Sequence, residues 1–283
     1  MTEQIIRVLY GVSLSAHNLI ASICSGVAVF MFLLAILIPN DNANKSKILK
    51  INLNIYFLSI VLSAFSGFLF EIEFKRFWPV LNDSLIDFKD NSAHTFAVIS
   101  YLLSPPILII IYYFKLWKKF KLFYAISFLL IFHALLFSFW GVFLNTIMQF
   151  PLNAEINTDG ILVLKGSISN RFLSGYHLNR QIHILAASTL KAGFLVMMIF
   201  YFSKNLKIEI QKIILNICVA TIIVIAISGH FQIKNIAKYQ PHKFAAMENI
   251  TTKSEKSKWK PLGIYTFLGK EHAFKIEGGM FSY

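Results

Sequence analysis

Six stretches of this chain are long enough and apolar enough to cross a lipid bilayer. They run approximately from His17 to Ile38, Ile51 to Phe70, Ala93 to Phe114, Leu122 to Phe150, Gln181 to Ser203 and Ile213 to Ile233. Five of them contain no Asp, Glu, Lys or Arg, and the exception carries only Lys191. Hydrocarbon offers no partner to an unpaired backbone amide, so a core of about 30 Å is crossed by roughly 20 helical residues. The pattern predicts an all-α, polytopic membrane bundle of about six transmembrane helices. Its first stretch is too long for a removable signal peptide, lacks a small-residue cleavage site, and is expected to stay as a helix. A chain that is 56% hydrophobic and 14% charged, with a mean hydropathy of +0.62, does not suit a soluble domain. No Cys-x-x-Cys-His, phosphate-cradling Gly-rich loop or His-Glu-x-x-His is present, which excludes most soluble-enzyme chemistry. Cys24 and Cys218 fall inside apolar stretches and read as small buried hydrophobes.

Lys and Arg number 27 against 14 Asp and Glu, a net charge of +13. In a soluble protein that excess would suggest nucleic acid. Here the bases sit between apolar runs, so they read as topology signals and no nucleic-acid partner is expected. The short connections after the odd-numbered spans hold Lys45, Lys47 and Lys50, then Lys118, Lys119 and Lys121, then Lys204, Lys207 and Lys212. The longer connections, Glu71 to Ser92 and Pro151 to Arg180, mix fewer bases per residue with acids. The positive-inside rule puts the short loops in the cytoplasm and both termini outside. The segment after His230 holds nine Lys and four Glu and dissents, but long segments translocate largely regardless of charge.

Polar groups inside spans are costly and mark where function is sought. His17, His133, His183 and His230 lie on four different spans. A single intramembrane His is commonly a hydrogen-bonded packing residue. Four in a small chain, with no carboxylate cage and no Cys cluster, best match b-type haem held by imidazole among aromatics. Arg180 stands one turn from His183 on the same face, where a guanidinium pairs with a haem propionate or snorkels to the interface. Lys191 lies about 12 Å deeper by helical rise, and three readings stay open for it: snorkelling, meeting a propionate, or lining a water path. Pro105 and Pro106 fall mid-span, where a kink is expected.

The segments that carry these residues resemble, in order along the chain, subunit I of the cytochrome bd family of quinol oxidases. RVLYGVSLSAH, from Arg7 to His17, is similar to the family's opening helix. SGFLFEIEFKRFWP, with Gly67, Glu71 and Trp78, is a weaker match to the end of the second helix. FWGVFLNTIMQFPLNAEI, with Trp140, Asn145, Met148, Gln149 and Pro151, resembles the fourth helix and its exit. RQIHILAASTLKAGF, with His183, resembles the fifth. SGHFQIKNIAKYQPHKFAAMEN, with Gln240, Pro241, Lys243, Ala245, Ala246 and Glu248, resembles the start of the quinol-binding loop.

The resemblance implies that His17 binds the haem nearest oxygen chemistry and His183 the electron-entry haem b, with Arg180 and Trp140 also contacting cofactor. It implies that Lys243, Glu248 and Gln240 form the quinol site. Oxidising a quinol removes two protons and two electrons, so a base, a hydrogen-bond donor and a nearby redox centre are the required set. The implied organisation is a haem-binding bundle over 1–230 and an outward quinol-loop-like tail over 231–283. The implied cofactors are one or more haem b, a second high-spin haem or haem d, and quinone or quinol. The implied partners are membrane lipid, quinol, a second large membrane subunit and a chain supplying further C-terminal helices. The implied location is the cytoplasmic (inner) membrane of a bacterium or archaeon.

Departures from the family pattern bear on the oxygen chemistry. Family members carry three further helices after the quinol loop, including the methionine partner of the low-spin haem, and these are not among the 283 residues. The family's third helix carries glutamates, whereas no Glu lies between Glu73 and Glu155. Two explanations compete, a separate polypeptide holding the missing half or a divergent member. The acid loss favours divergence, with His133, His94 or His230 as replacement axial ligands to be weighed against structural roles. The expected function is a bd-like quinol oxidase subunit that passes electrons to haem b and, with partners, to oxygen. The alternatives are a haem b electron-transfer subunit without oxygen reduction and a haem-free scaffold.

The orientation is open to thiol labelling in intact cells. A membrane-impermeant maleimide is expected to leave Lys47→Cys and Lys204→Cys unlabelled and to label Asp159→Cys; the reverse pattern inverts the topology.

Overall fold

Chains of apolar residues in lipid satisfy their amides along the helix, and then pack through whatever small side chains allow backbones to approach. The computed structural model describes residues 3–77, 79, 102–103, 106–149, 154–156, 162–164, 174–203 and 208–240. Five long helices dominate: α1 (Glu3–Leu37), α2 (Lys45–Phe77), α3 (Phe120–Gln149), α4 (Gly175–Ser203) and α5 (Ile208–Tyr239). Each contains a window long and apolar enough to cross a membrane. They correspond to five of the six expected spans, and the chain is a multi-pass membrane protein of the all-α class. The third expected span is described only at residues 102–103 and 106–114, helical as far as 113. Two short strands, β1 (Ala154–Ile156) and β2 (Leu162–Leu164), form an antiparallel pair in the connection between α3 and α4, with Glu155 opposite Val163. Composition gave no sign of this small ribbon.

The chain divides into two units, Met1–Ala226 and Ile227–Tyr283. In the first, α1 is the central helix and packs against α2, α3 and α4. Its residues Val27, Ala28, Phe30, Met31, Leu34 and Ala35 are all fully buried. Small residues make that position possible. A Cβ on Gly26 would run into the carbonyl oxygen of Ser188, so the α1 and α4 backbones touch there. A Cβ on Gly193 would meet Cys218 Sγ at 2.6 Å and Phe30 Cε2 at 3.2 Å, which ties α4 to α5 and α1. The outer faces are apolar and exposed, as at Phe65, Phe68, Phe128 and Phe194, which suits contact with lipid. In the second unit the described residues continue α5, with Lys234 and Lys238 ammonium groups 6.0 and 4.9 Å from the rings of Phe231 and Tyr239.

Lys45 is fully buried, although its position suggested only a topology charge. Its Nζ donates to the Ile38 carbonyl at 2.5 Å, to Asn40 Oδ1 at 2.7 Å and to Tyr124 Oη at 2.9 Å. It also lies 4.8 Å from the centroid of the Phe120 ring. One ammonium therefore caps the end of α1, begins α2 and anchors the start of α3. Its long apolar stem lets it do so from within the packing.

Two substitutions test these ties. Gly26→Ala is expected to lower stability by about 1–3 kcal/mol through overpacking. Lys45→Met is expected to cost about 3 kcal/mol by stranding the groups that the ammonium satisfies. Thermal unfolding of the detergent-solubilised protein reads both; unchanged midpoints would refute the two contacts.

Candidate functional site

His17 sits halfway along α1, half-buried against α2. Its Nδ1 lies 3.1 Å from Ser66 Oγ, and Ser66 Oγ in turn donates to the Ser63 carbonyl at 3.1 Å. The imidazole stacks on Phe70 with ring centroids 5.9 Å apart and planes 6° apart. Gly67 completes the cradle, because a Cβ there would come within 2.9 Å of His17 Cε1. Ser66, Gly67 and Phe70 lie within one helical turn of α2, so one face of that helix fixes both the position and the plane of the ring. The bond at Nδ1 fixes the plane of the ring, because a hydrogen bond at one imidazole nitrogen sets the direction in which the other points.

A second polar seam joins α3 and α4. Arg180 donates to Asn145 Oδ1, and Gln181 Nε2 donates to Ser138 Oγ at 2.6 Å. Between them His177 is 1% exposed, its ring edge-on to Phe139 at 4.8 Å and to Phe143 at 6.0 Å. His183 lies two turns further along α4 and is half-buried. Its neighbours Ile182, Leu185 and Ala186 line an open apolar groove of ≈ 440 Å³ between α1, α4 and α5. Lys191 Nζ, exposed on α4, donates to Ser22 Oγ on α1 at 3.0 Å. Of the three readings for Lys191, this bond adds a fourth component, a polar tie between two spans.

His133 is buried and bonds Tyr56 Oη through Nδ1 at 2.8 Å, which ties α2 to α3. That bond is a packing role, in line with the structural reading of this residue. His230 belongs to the second unit, with its ring 5.9 Å from that of Phe231. Gln240 closes α5, its backbone N–H donating to the Ile236 carbonyl at 2.8 Å. Trp140, Met148 and Gln149 fall on α3, and nothing is described of their side chains. Lys243, Glu248, Trp78, His94 and Pro105 lie outside the described residues. Among the described residues no three His, Cys, Asp or Glu side chains converge as a metal cage. Haem does not need one, since it brings four equatorial nitrogens and asks the protein for one or two axial donors.

Sequence reasoning missed Ser66, Phe70, Ser138 and His177. The signal for His177 was its spacing of six residues from His183, but it lay beyond the apolar stretch taken as the span. Ser66 and Phe70 were hidden because nothing local reveals that the second helix packs against His17.

The long apolar helices and the polar seams between them define a multi-pass membrane protein, and comparison with known proteins narrows the class. The family model for cytochrome bd terminal oxidase subunit I matches residues 5–281, and the chain belongs to that family. Among solved structures it is similar to the bd oxidase from Geobacillus thermodenitrificans, with a TM-score of 0.75 at 16% sequence identity. That likeness covers 93% of this chain and 66% of the other, so this chain spans just under two thirds of its length. No curated protein matches this chain.

Gly67→Val places a branched side chain where only a hydrogen fits beside His17. It is expected to displace the imidazole, shifting or abolishing any haem absorption band while the helical circular dichroism stays within about a tenth of wild type. An unaltered haem spectrum in the variant would rule out the cradle as a ligand-orienting device.

Proposed function

We propose that the chain is the quinol-oxidising, haem b-carrying subunit of a bd-like respiratory oxidase. The observation that carries this reading is His17, whose Nδ1 is anchored to Ser66; Nε2 would be the donor to iron. The donor set fits haem: His17 and His183 are single imidazoles on separate membrane helices, and the first stacks on the Phe70 ring. His17 and His183 would each hold one haem from one side. When bound, haem b supplies a one-electron acceptor for quinol beside the membrane surface.

The chain's own residues take the remaining tasks. Glu248 accepts one of the two quinol protons and the other leaves to the outer aqueous side, Lys243 donates a hydrogen bond to a quinol oxygen, and Gln240 marks the entry to their loop. Arg180, held by Asn145, keeps further N–H donors for a propionate. The bundle over 1–230 and the segment over 231–283 divide electron transfer from quinol binding, with both termini on the outer side. Partner subunits complete the complex. The absence of Glu between Glu73 and Glu155 favours a second reading for the far end of the pathway, a haem b electron-transfer subunit in which oxygen reduction resides elsewhere.

Reduced-minus-oxidised spectra of the purified complex test this. His183→Ala is expected to lose the low-spin b-type band and His17→Ala a separate component. Glu248→Gln should slow quinol-driven haem reduction at least tenfold, while reduction by dithionite is unchanged. A colourless wild-type complex would eliminate the electron-carrying function and leave a scaffold. Quinol-reduced haem that oxygen leaves reduced would select the second reading.

A further inference from the structure

Two loops lie together at one end of the first unit: the turn from α1 into α2, and residues 114–119 ahead of α3. Lys47, Lys50, Lys115 and Lys118 line a depression of ≈ 450 Å³ there, with Ser46 and Trp117. No carboxylate lines it. Trp117 is 6% exposed and packs edge-on against Tyr112 at 5.6 Å, so it is a fixed wall. Lys50 Nζ stands 5.5 Å from the centroid of its ring. The four lysines are exposed, unlike Lys45 close by.

Lys115 forms the bend that carries two of these lysines. It holds φ 50° and ψ 45°, the left-handed region that a residue with a Cβ avoids. Among the described residues it is the one non-glycine with positive φ. Its backbone N–H donates to the Tyr112 carbonyl at 3.2 Å, and its own carbonyl accepts from Lys118 at 3.0 Å. The bend brings Lys115 and Lys118 to the same depression as Lys47 and Lys50. Four like charges around one hollow repel until an anion sits among them.

We propose that this depression binds the phosphate of an anionic phospholipid. The four ammonium groups hold the phosphate oxygens, and the Ser46 hydroxyl is a further donor. A lipid fits better than a soluble phosphate because of what precedes the loop. Ile109, Ile110, Tyr113 and Phe114 are 67%, 49%, 78% and 52% exposed, an apolar band on which acyl chains can lie. Trp117 marks the level of the membrane interface, where head groups reside. Neither Tyr113 nor Phe114 serves a soluble anion. The site is remote in sequence from the proposed haem and quinol residues and stands whether or not that reading holds.

The test uses the full-length chain with its native partner subunits in neutral detergent, titrated with phosphatidylglycerol in mixed micelles, with bound lipid counted by native mass spectrometry. Each lysine near a membrane surface contributes about fivefold to anionic-lipid affinity. The Lys47→Gln/Lys50→Gln/Lys115→Gln/Lys118→Gln variant should therefore lose retention at least tenfold. The corresponding four-Arg variant and a Lys234→Gln/Lys238→Gln control should keep it. Phosphatidylcholine and millimolar inorganic phosphate should not displace the bound lipid. Equal retention by the four-Gln variant would overturn the proposal, and so would displacement by inorganic phosphate, which would make this a soluble-anion site. Should the four-Gln variant fail to accumulate, Lys50→Gln and Lys118→Gln are read singly, each severalfold weaker; wild-type retention in both would also overturn it.

Discussion

The bundle depends on how closely α1 approaches α4. Between apolar helices in lipid there is little hydrophobic gain from association, so packing and polar contacts must supply it. Gly26 against the Ser188 carbonyl lets the two backbones touch, and Gly193 receives Cys218 and Phe30 beside it. With α1 drawn into the centre, its residues from Cys24 to Ala28 are buried without interruption. α2, α3 and α4 pack against it, and the polar side chains Tyr56, His133, Ser138 and Gln181 find partners across the interfaces. Each such bond contributes modestly, but an unmatched donor in the same place would cost more than the bond returns.

That centrality also explains the cradle of His17. The ring lies on the part of α1 nearer its N-terminus than the buried core, where Val12 and Leu19 are exposed. Only α2 flanks the ring among the contacts described, through Ser66, Gly67 and Phe70. Its orientation is thus decided by three residues of one helix turn. His133, by contrast, is buried in the core and bonded to Tyr56 on α2.

Much of this was legible from residue order. Long uncharged runs located the helices because lipid permits few alternatives, and the short lysine-bearing loops marked their ends. The family resemblance rested on the segments around His17, His183 and Glu248, and the match over residues 5–281 bears out the family. What composition could not supply was partnership. Nothing around Lys45 distinguishes it from Lys47, yet one is sealed among Ile38, Asn40 and Tyr124 and the other lines an open hollow. Burial of a lysine depends on distant chain, since Tyr124 is 79 residues away. The same holds for His17, whose significance rests on Ser66, 49 positions further on.

The contact between Lys191 and Ser22 spans 169 residues of sequence. Membrane chains are threaded into the bilayer from one end, so the first helix must wait in lipid while the intervening segments are synthesised. At about 5–20 residues per second that interval is on the order of ten seconds or more. Throughout it, the small-residue face of α1 is uncovered. Biogenesis of this chain therefore includes a period in which α2 and α3 have emerged but the α4-facing side of α1 is still bare, available to insertion factors, to a premature neighbour or to degradation.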